Sequence, residues 1–388
     1  MKIAIISNLF APYQRGGAEK IAKAQAEFLV KNHEVFVISS KPDGSEISVE
    51  QKNELKIYRL SSANIYYYLD DFRHGVLARL IWHYLDQINL VNFFRVRKIL
   101  KKEKPDLVVS HNLMGLGFLI PLVLKKYQWT HVLHDVQLAA PSGLIIKGEE
   151  NTFSVAGWPV KIYSWLNKRL FNSPTKVVSP SNWLLDFYLV KGFFKKSKTQ
   201  VLPNPILFEI KNSTKEKSSS LKLLFVGQIE EHKGILFLIN ALKESKRNFI
   251  LSIAGSGSKE SEVKSLLGGD ERFKYLGKLA PMEIKDLIAT SDFLVVPSLC
   301  YENSPTVIYE AFSQGMPVIA SKIGGIGELV KEGETGFVFE AGDRDQLILA
   351  VQKAMATQNY GQLSQNCLST VGDFNSKQYL EKLLDVFQ

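Results

Sequence analysis

Residues 291–328, SDFLVVPSLCYENSPTVIYEAFSQGMPVIASKIGGIGE, constrain the fold more tightly than any other stretch of the chain. Phe293-Leu-Val-Val296 is apolar at every position, the pattern of a strand covered on both faces of a parallel sheet. Pro297 closes it. Ser304 and Pro305 are expected to open a helix, with Ser as the N-cap and Pro at the first helical position. Val307, Ile308 and Ala311 supply its apolar side, Gly315-Met-Pro317 stops it, and Val318-Ile-Ala320 begins the next strand. In a strand–loop–helix–strand unit the loop lies at the carboxyl end of a strand. Free N–H groups and the helix dipole there attract anions. Glu302 falls in that loop and Glu310 just over a turn inside the helix. Two carboxylates flanking an anion site suit a ligand with both hydroxyls and phosphates. The spacing alone fits equally well a surface Glu and a helix Glu paired with a lysine.

The same unit recurs along the chain. Lys2–Ser7 reads as a buried strand, Asn8–Gly17 as a loop ending in Arg15-Gly16-Gly17, Ala18–Lys31 as a helix and Val35–Ser39 as a second strand. This is a Rossmann-type opening without the G-x-G-x-x-G fingerprint of dinucleotide enzymes. Residues 64–104 read as one or two amphipathic helices with Leu77, Leu80, Ile81, Tyr84, Leu85 and Ile88 on one face. Strand Asp106–Ser110 leads to His111-Asn112, and strand Thr130–Leu133 leads to His134-Asp135. Residues 138–160 look like a loop, Lys161–Phe171 a helix, Lys176–Ser179 a strand and Trp183–Val190 a helix. Pro203-Asn-Pro205 and the polar run Lys211–Ser220 have linker composition, so a first domain of residues 1–205 is expected. A second series of α/β units follows over 206–370. Three of its strands end in Gly227, Gly255 and Gly277. Gly255-Ser-Gly257 either approaches a ligand or makes a tight turn. The closing segment, 371–388, reads as one helix over Lys377–Phe387, with no strand of its own.

A chain of 388 residues is too long for one core, which agrees with two domains. No apolar run approaches the roughly 20 residues of a membrane-spanning helix, and MKIAIIS enters a strand without signal-peptide form. Two cysteines, Cys300 and Cys367, give neither a disulfide framework nor a metal cluster, so a reducing cytoplasm is expected. The sequon at Asn212 carries no meaning there. Residues 1–210 hold 28 Lys and Arg against 17 Asp and Glu, whereas the remainder holds 20 against 22. The basic half includes Phe93-Phe-Arg-Val-Arg-Lys98, Lys101-Lys102 and Gly192-Phe-Phe-Lys-Lys196, which suggest an anionic membrane surface as a partner or simply a solvated basic face. No nucleic-acid module is recognisable. Trp158 and Trp165 are core or membrane-interface residues, and Trp183 is assigned to the core. Asp343-Arg-Asp345 matches a metal-binding D-x-D, but Asp343 fits a helix N-cap better.

Taken in order, Gly16-Gly17, Pro180-Ser-Asn-Trp183, Phe225-Val-Gly-Gln-Ile-Glu-Glu-His-Lys-Gly234, Ala254-Gly-Ser-Gly257 and Pro297-Ser298 with Glu302, Glu310-Ala311, Gly324-Gly325 and Glu328 resemble the retaining, nucleotide-sugar-dependent glycosyltransferases of family 4. The resemblance implies an α/β chain of GT-B type, with two Rossmann-like domains facing each other across a cleft and a terminal helix that crosses back to the first. It implies that Glu310 holds the ribose hydroxyls and Glu302 faces the donor sugar. Backbone around Ser304, Pro305, Thr306 and Val307 would hold the diphosphate, and Lys233 would neutralise it. Gly16 and Gly17 would let backbone approach the same phosphate, with Gly227, Gln228, Gly255 and Gly277 completing the donor site. His134 matches a histidine that touches the donor sugar, so Glu302, Lys233 and His134 become the catalytic candidates. Glu19, His111 and Asn112 become the acceptor-side candidates. Gln228 stands where the family usually has Arg, which leaves diphosphate neutralisation to Lys233. The implied reaction transfers a hexose, with UDP-hexose expected, to a cell-surface glycan or lipid-linked acceptor without metal or other cofactor. A sugar-nucleotide epimerase or a phosphorylase on the same fold is the alternative. The expected location is cytoplasmic, including the inner face of the cell membrane.

Overall fold

The computed structural model describes the chain apart from residues 43–46, 173, 212, 246, 373–375 and 388, so Asn212 of the sequon lies outside the described residues. Two units form. The first comprises Met1–Leu144, Asn151–Pro205 and Tyr379–Gln388; the second comprises Ile145–Glu150 and Ile206–Gln378. No helix among the described residues is long and apolar enough to cross a membrane.

The first unit is built on strands β1 (Lys2–Ile6), β2 (Glu34–Lys41), β3 (Ile47–Lys52), β4 (Leu55–Ser61), β5 (Leu107–Ser110), β6 (Gln128–Val132), β7 (Lys176–Ser179) and β8 (Lys198–Val201). Their order in the sheet is β3-β4-β2-β1-β5-β6-β7-β8, parallel except where β3 runs against β4. The hairpin β3–β4 has no counterpart in the sequence reading. Its turn places Asn53 in the left-handed region at φ 53°, which Asn tolerates. The helices are α1 (Gly17–Leu29), α2 (Val76–Gln87), α3 (Leu90–Glu103), α4 (Pro121–Leu124), α5 (Phe153–Ala156), α6 (Trp158–Leu170) and α7 (Asn182–Val190). On α1, Ile21, Ala22, Ala26 and Leu29 are buried, as 3.6-residue spacing requires.

The second unit contains β9 (Leu221–Val226), α8 (Ile235–Lys243), β10 (Phe249–Ala254), α9 (Glu260–Leu267), β11 (Phe273–Gly277), α10 (Pro281–Thr290), β12 (Phe293–Val296), α11 (Thr306–Ser313), β13 (Val318–Ser321), α12 (Ile326–Leu329), β14 (Gly336–Phe339), α13 (Arg344–Ala356) and α14 (Tyr360–Gly372). Its parallel sheet runs β11-β10-β9-β12-β13-β14, the doubly wound order with its switch point between β9 and β12. Phe293 and Val295 join the core on one face of this sheet, Leu294 and Val296 that on the other, which is why β12 is apolar throughout. The terminal helix α15 (Ser376–Phe387) brings Tyr379, Leu383, Val386 and Phe387 into the core of the first unit. There the Gln25 amide donates to the Tyr379 hydroxyl at 2.6 Å.

The apolar face of α2, whose direction the sequence left open, points outward: Leu77 is 71% and Leu80 61% exposed, whereas Trp82 and Asp86 are the buried residues. Three expectations need correction. The run Lys211–Ser220 is no loose linker. Lys215 is buried and its ammonium donates to the carbonyls of Ile288 and Ser291 at the end of α10, while Lys217 reaches those of Met355 and Thr357 at the end of α13. Each lysine satisfies carbonyls that a helix C-terminus leaves open. Phe193 and Phe194 are core residues, so only the lysines of that basic cluster face water. Trp183, assigned to the core, is half-buried and stacked on Phe187.

Glu103, at the end of α3, joins three strand residues: it accepts from Lys2 Nζ at 2.7 Å, from Lys56 Nζ at 2.6 Å and from the Tyr58 hydroxyl. Burial alone raises its pKa, but these donors hold it near 2, below its ordinary 4.5. The resulting stability is complete above pH 4.5 and is lost as pH falls toward 2. Glu103→Gln is expected to lower the melting midpoint at pH 7 by roughly 4 °C and to flatten the loss of stability over that acid range. Thermal melts at pH 3, 5 and 7 check both.

Candidate active site

In the second unit, backbone close approach shapes the ends of the strands. Gly227 N donates to Ala254 O at 3.1 Å, and Gly255 N to Gly277 O at 2.8 Å. A Cβ on Gly255 would sit 1.8 Å from the Gly227 carbonyl oxygen, and one on Gly257 2.4 Å from that of Ile229. Gly255-Ser-Gly257 is therefore glycine-rich because two chain segments touch there. Gln228, in this loop, is half-buried.

The next contact carries Lys233 to its place. Gly234 has φ 72°, and its Cβ would fall 1.9 Å from the carbonyl oxygen of Pro297. Leu299 N donates to His232 O at 2.9 Å. The turn Glu231–Lys233 is thus pressed against the end of β12, at the sheet's switch point. Lys233 Nζ lies 2.5 Å from Glu302 Oε1, with the two side chains 26% and 16% exposed. Burial acts against both charges, yet each stabilises the other: the Lys233 pKa rises and that of Glu302 falls. Ser298 Oγ donates to the same carboxylate oxygen at 3.0 Å. The Glu302 carbonyl accepts from Gly325 N at 2.7 Å, and at Gly324, φ 60°, a Cβ would come within 2.1 Å of that carbonyl. Cys300 is buried beside the pair, and burial pushes its thiol up to about 12, far from a nucleophile's range.

A further support had no local signal in the sequence. Ile145–Glu150, read as part of a loop, pairs with the segment that carries Glu302. Lys147 N donates to Leu299 O and Tyr301 N to Ile145 O, both at 2.9 Å, and the Tyr301 hydroxyl donates to Glu150 Oε1 at 2.8 Å.

Helix α11 starts one residue later than expected. Pro305 is its N-cap, in extended conformation, and Ser304 Oγ pairs with the Tyr309 hydroxyl at 2.8 Å instead of capping. Thr306 and Val307 occupy the first two helical positions, whose N–H groups find no acceptor within a helix. Glu310 lies one turn in and is buried. Cation, carboxylate and helix N-terminus thus adjoin one loop. Asp343 caps α13, accepting from Gln346 N at 3.0 Å, and no three His, Cys, Asp or Glu among the described residues converge as a metal site.

In the first unit the candidates cluster after β1, β5 and β6. Gly16 N donates to Glu19 Oε2 at 2.8 Å, so buried Glu19 closes the start of α1. Gly16 has extended backbone and open space where a Cβ would be; neither strain nor packing demands glycine there. Gly17 opens the helix. The parallel dipeptides His111-Asn112 and His134-Asp135 meet pairwise. His111 Nδ1 lies 2.8 Å from His134 Nε2, and Asn112 Nδ2 donates to Asp135 Oδ2 at 2.8 Å. His111 is fully buried behind half-buried His134. Asp135 escaped the sequence reading; burial raises its pKa to about 6 against donors from Gln137 and Asn112. Its only signal was its place beside a strand-end histidine. The Arg15 guanidinium lies over the Tyr68 ring at 5.2 Å, also unforeseen.

Comparison with known proteins assigns the chain to a family. Residues 208–369 match the model of the glycosyl transferases group 1, and residues 15–208 that of Glycosyltransferase Family 4. The chain belongs to family 4, has the GT-B fold and is a glycosyltransferase. It is 27% identical to the UDP-Gal:alpha-D-GlcNAc-diphosphoundecaprenol alpha-1,3-galactosyltransferase of Escherichia coli, over 82% of this chain and 85% of that one. To an uncharacterized 42.6 kDa protein of the cps region of Klebsiella pneumoniae it is 28% identical, over 85% of this chain and 87% of that one. Among solved structures, sucrose-phosphate synthase from Thermosynechococcus elongatus superposes with a TM-score of 0.75 at 19% identity, covering 100% of this chain and 98% of that one. Anabaena HepE in complex with UDP-glucose gives 0.72 at 18% identity, covering 99% and 98%.

Two outcomes follow from the geometry. Gly234→Ala is expected to weaken nucleoside diphosphate binding by about tenfold or more, the scale of one charge-assisted hydrogen bond. Calorimetry on the variant, with circular dichroism to confirm folding, measures this; unchanged affinity would show that Lys233 does not depend on the turn. The second concerns the histidines. Burial draws the His134 pKa to about 4 and that of His111 well below its ordinary value, so both rings are neutral at pH 7 and share one proton. His111 Nε2 is buried without a hydrogen-bond partner. If His134 gave the shared proton, that nitrogen would hold an orphan N–H; if His111 gives it, only a lone pair is left. Buried orphan donors are the rarer case. Nitrogen-15 spectra are therefore expected to show His134 protonated on Nδ1.

Proposed function

We propose that this glycosyltransferase moves a hexose, with retention of anomeric configuration, from a UDP-sugar to a cell-surface glycan or lipid-linked glycan. The observation that carries the reading is the Lys233–Glu302 pair beside the first turn of α11. A nucleoside diphosphate leaving group gains negative charge as its bond to the sugar breaks. Lys233 and the Thr306 and Val307 amides supply positive potential for it without a metal, and one such preplaced donor is worth about 3 kcal/mol in the transition state. Glu310 holds the ribose. Glu302 passes its lysine to the diphosphate and takes hydroxyls of the donor sugar. Gly16 and Gly17 admit the diphosphate to the backbone at the start of α1; the open space at Gly16 supports this. His134 donates from Nδ1 to a sugar oxygen, with Asn112, His111 and Glu19 bordering or supporting the acceptor side.

The step proposed is a front-side substitution. The bond from the anomeric carbon to the diphosphate oxygen breaks, with its electrons going to the phosphate. The acceptor hydroxyl oxygen bonds to the same face, and its proton passes to the departing phosphate oxygen. The reading of donor and acceptor draws on relatives whose names specify UDP-galactose with a diphosphoundecaprenol acceptor, lipopolysaccharide N-acetylglucosamine transfer and an undecaprenol-linked glycan. Lipid-linked acceptors of this kind support a reaction at a membrane surface, and the basic first half of the chain suits an anionic lipid surface.

A thermal-shift panel of UDP-, GDP- and ADP-hexoses tests the donor. UDP-hexose at 100 times its dissociation constant is expected to stabilise by about 2.7 kcal/mol, with the shift lost in Lys233→Ala and Glu310→Ala. Glu302→Gln frees Lys233, so UDP affinity holds or rises while turnover falls. No shift with any nucleotide sugar, or full turnover in Glu310→Ala, would sink the reading.

A further inference from the structure

The first unit turns an unusual amount of apolar surface toward solvent, concentrated on three helices. On α2, Val76, Leu77, Leu80, Ile81 and Tyr84 are exposed along one face. The band continues through Ile88 into the first turn of α3, where Leu90, Val91 and Phe94 are exposed. On α6 the exposed residues are Trp158, Ile162, Trp165 and Leu166, spaced as one helical stripe. The inner faces of α2 and α6 meet on one residue: Phe118 N donates to Asp86 O of α2 at 3.1 Å, and its ring lies 5.9 Å from that of Tyr163 on α6. Both helices thus pack on Phe118, and each leaves its apolar residues exposed.

Charge selects the occupant. The three helices carry nine Lys and Arg and only two carboxylates, Asp86 and Glu103, both buried. Arg169 lies over the exposed Trp165 ring at 5.1 Å, an arrangement with one apolar and one wet end. Arg79, the single cation of α2, pairs with Asp71 at 3.6 Å; the other eight lie on α3 and α6. Exposed Leu, Ile, Phe and Trp on helices rich in cations and free of exposed acids fit the boundary between anionic headgroups and acyl chains, where amphipathic helices lie in plane.

We propose that α2, the first turn of α3 and α6 form one docking face that inserts apolar side chains into an anionic bilayer. This deepens the proposed membrane partnership and rests on it. Binding then has two parts: an electrostatic attraction through the cations, which salt screens, and an apolar insertion, which salt does not remove.

Flotation of the full chain with phosphatidylcholine–phosphatidylglycerol vesicles tests this. Wild type is expected to float at low salt and to keep a bound remainder at high salt. Leu77→Glu with Leu80→Glu, at exposed positions, is expected to remove that remainder and weaken partitioning on the order of a hundredfold. Arg97→Glu with Lys98→Glu is expected to weaken binding at low salt alone. Brominated acyl chains should quench wild-type tryptophan fluorescence, and Trp158→Phe with Trp165→Phe should abolish the quenching. Full release of wild type at high salt would overturn the proposal. So would unchanged binding of the leucine variant, or a leucine variant that turns a dimer into a monomer without losing vesicles. The UDP-hexose thermal shift is read on the same samples; its absence would count against the donor assignment and leave the flotation result standing.

Discussion

The second unit depends on one steric fact: at the switch point of its sheet, chain segments touch backbone to backbone. The Pro297 carbonyl occupies the space where a residue at 234 would hold its Cβ. Because Gly234 yields that space, the turn before it is held against the end of β12 and Lys233 reaches Glu302. The Glu302 carbonyl is likewise covered by Gly324, and the Gly227 carbonyl by Gly255. These glycines draw three loops together so that a cation, a carboxylate and a helix N-terminus share one location beyond the strand ends of a doubly wound sheet.

The two units handle charge in opposite ways. The second keeps a partly buried ion pair, in which removing either member would strand the other charge. In the proposed reaction the donor's diphosphate replaces Glu302 at Lys233, and the donor's sugar offers Glu302 hydroxyl groups in return. The first unit instead holds His111, His131 and His134 neutral by burial, so a ligand there meets a fixed donor and not a titrating cation. Burial raises Asp135 to about 6 and Asp86 to about 8, so both carboxyls lie close to changing charge in the physiological range.

What could be read from the sequence was local. Phe293–Val296, Lys2–Ser7 and the glycine-ended strands carry their burial in their own composition, and Asp343 carries its cap. The donor-site candidates rest on the resemblance to family 4, and among them Gly227, Gln228, Gly255 and Gly277 also stand at strand ends. What failed was non-local or one-sided. Ile146 meets Cys300 through backbone bonds across half the chain, which no periodicity records. Lys215 looked like linker because a lysine that caps a helix C-terminus has the same composition as one in water. The hairpin Ile47–Ser61 is short, polar on its outer strand and turned by Asn-Glu rather than by glycine.

Helix α2 shows the limit of such a signal. Its 3.6-residue apolar period is plain in the sequence, yet period fixes only that two faces differ and not which one the protein covers. Here the buried face is made by Trp82 and Asp86. Trp82 donates from Nε1 to the Tyr66 carbonyl at 2.9 Å and stacks with Tyr66 and Tyr68. Asp86 accepts from Gly115 N at 2.9 Å. One large aromatic and one hydrogen-bonded carboxyl suffice to seat the helix, and that leaves its aliphatic residues outside. A helix seated in this way keeps its apolar face available for a second solvent. No acid is exposed along α2, α3 and α6: in water such an apolar face costs stability, whereas at the proposed anionic interface its leucines, tryptophans and cations are all favourably placed.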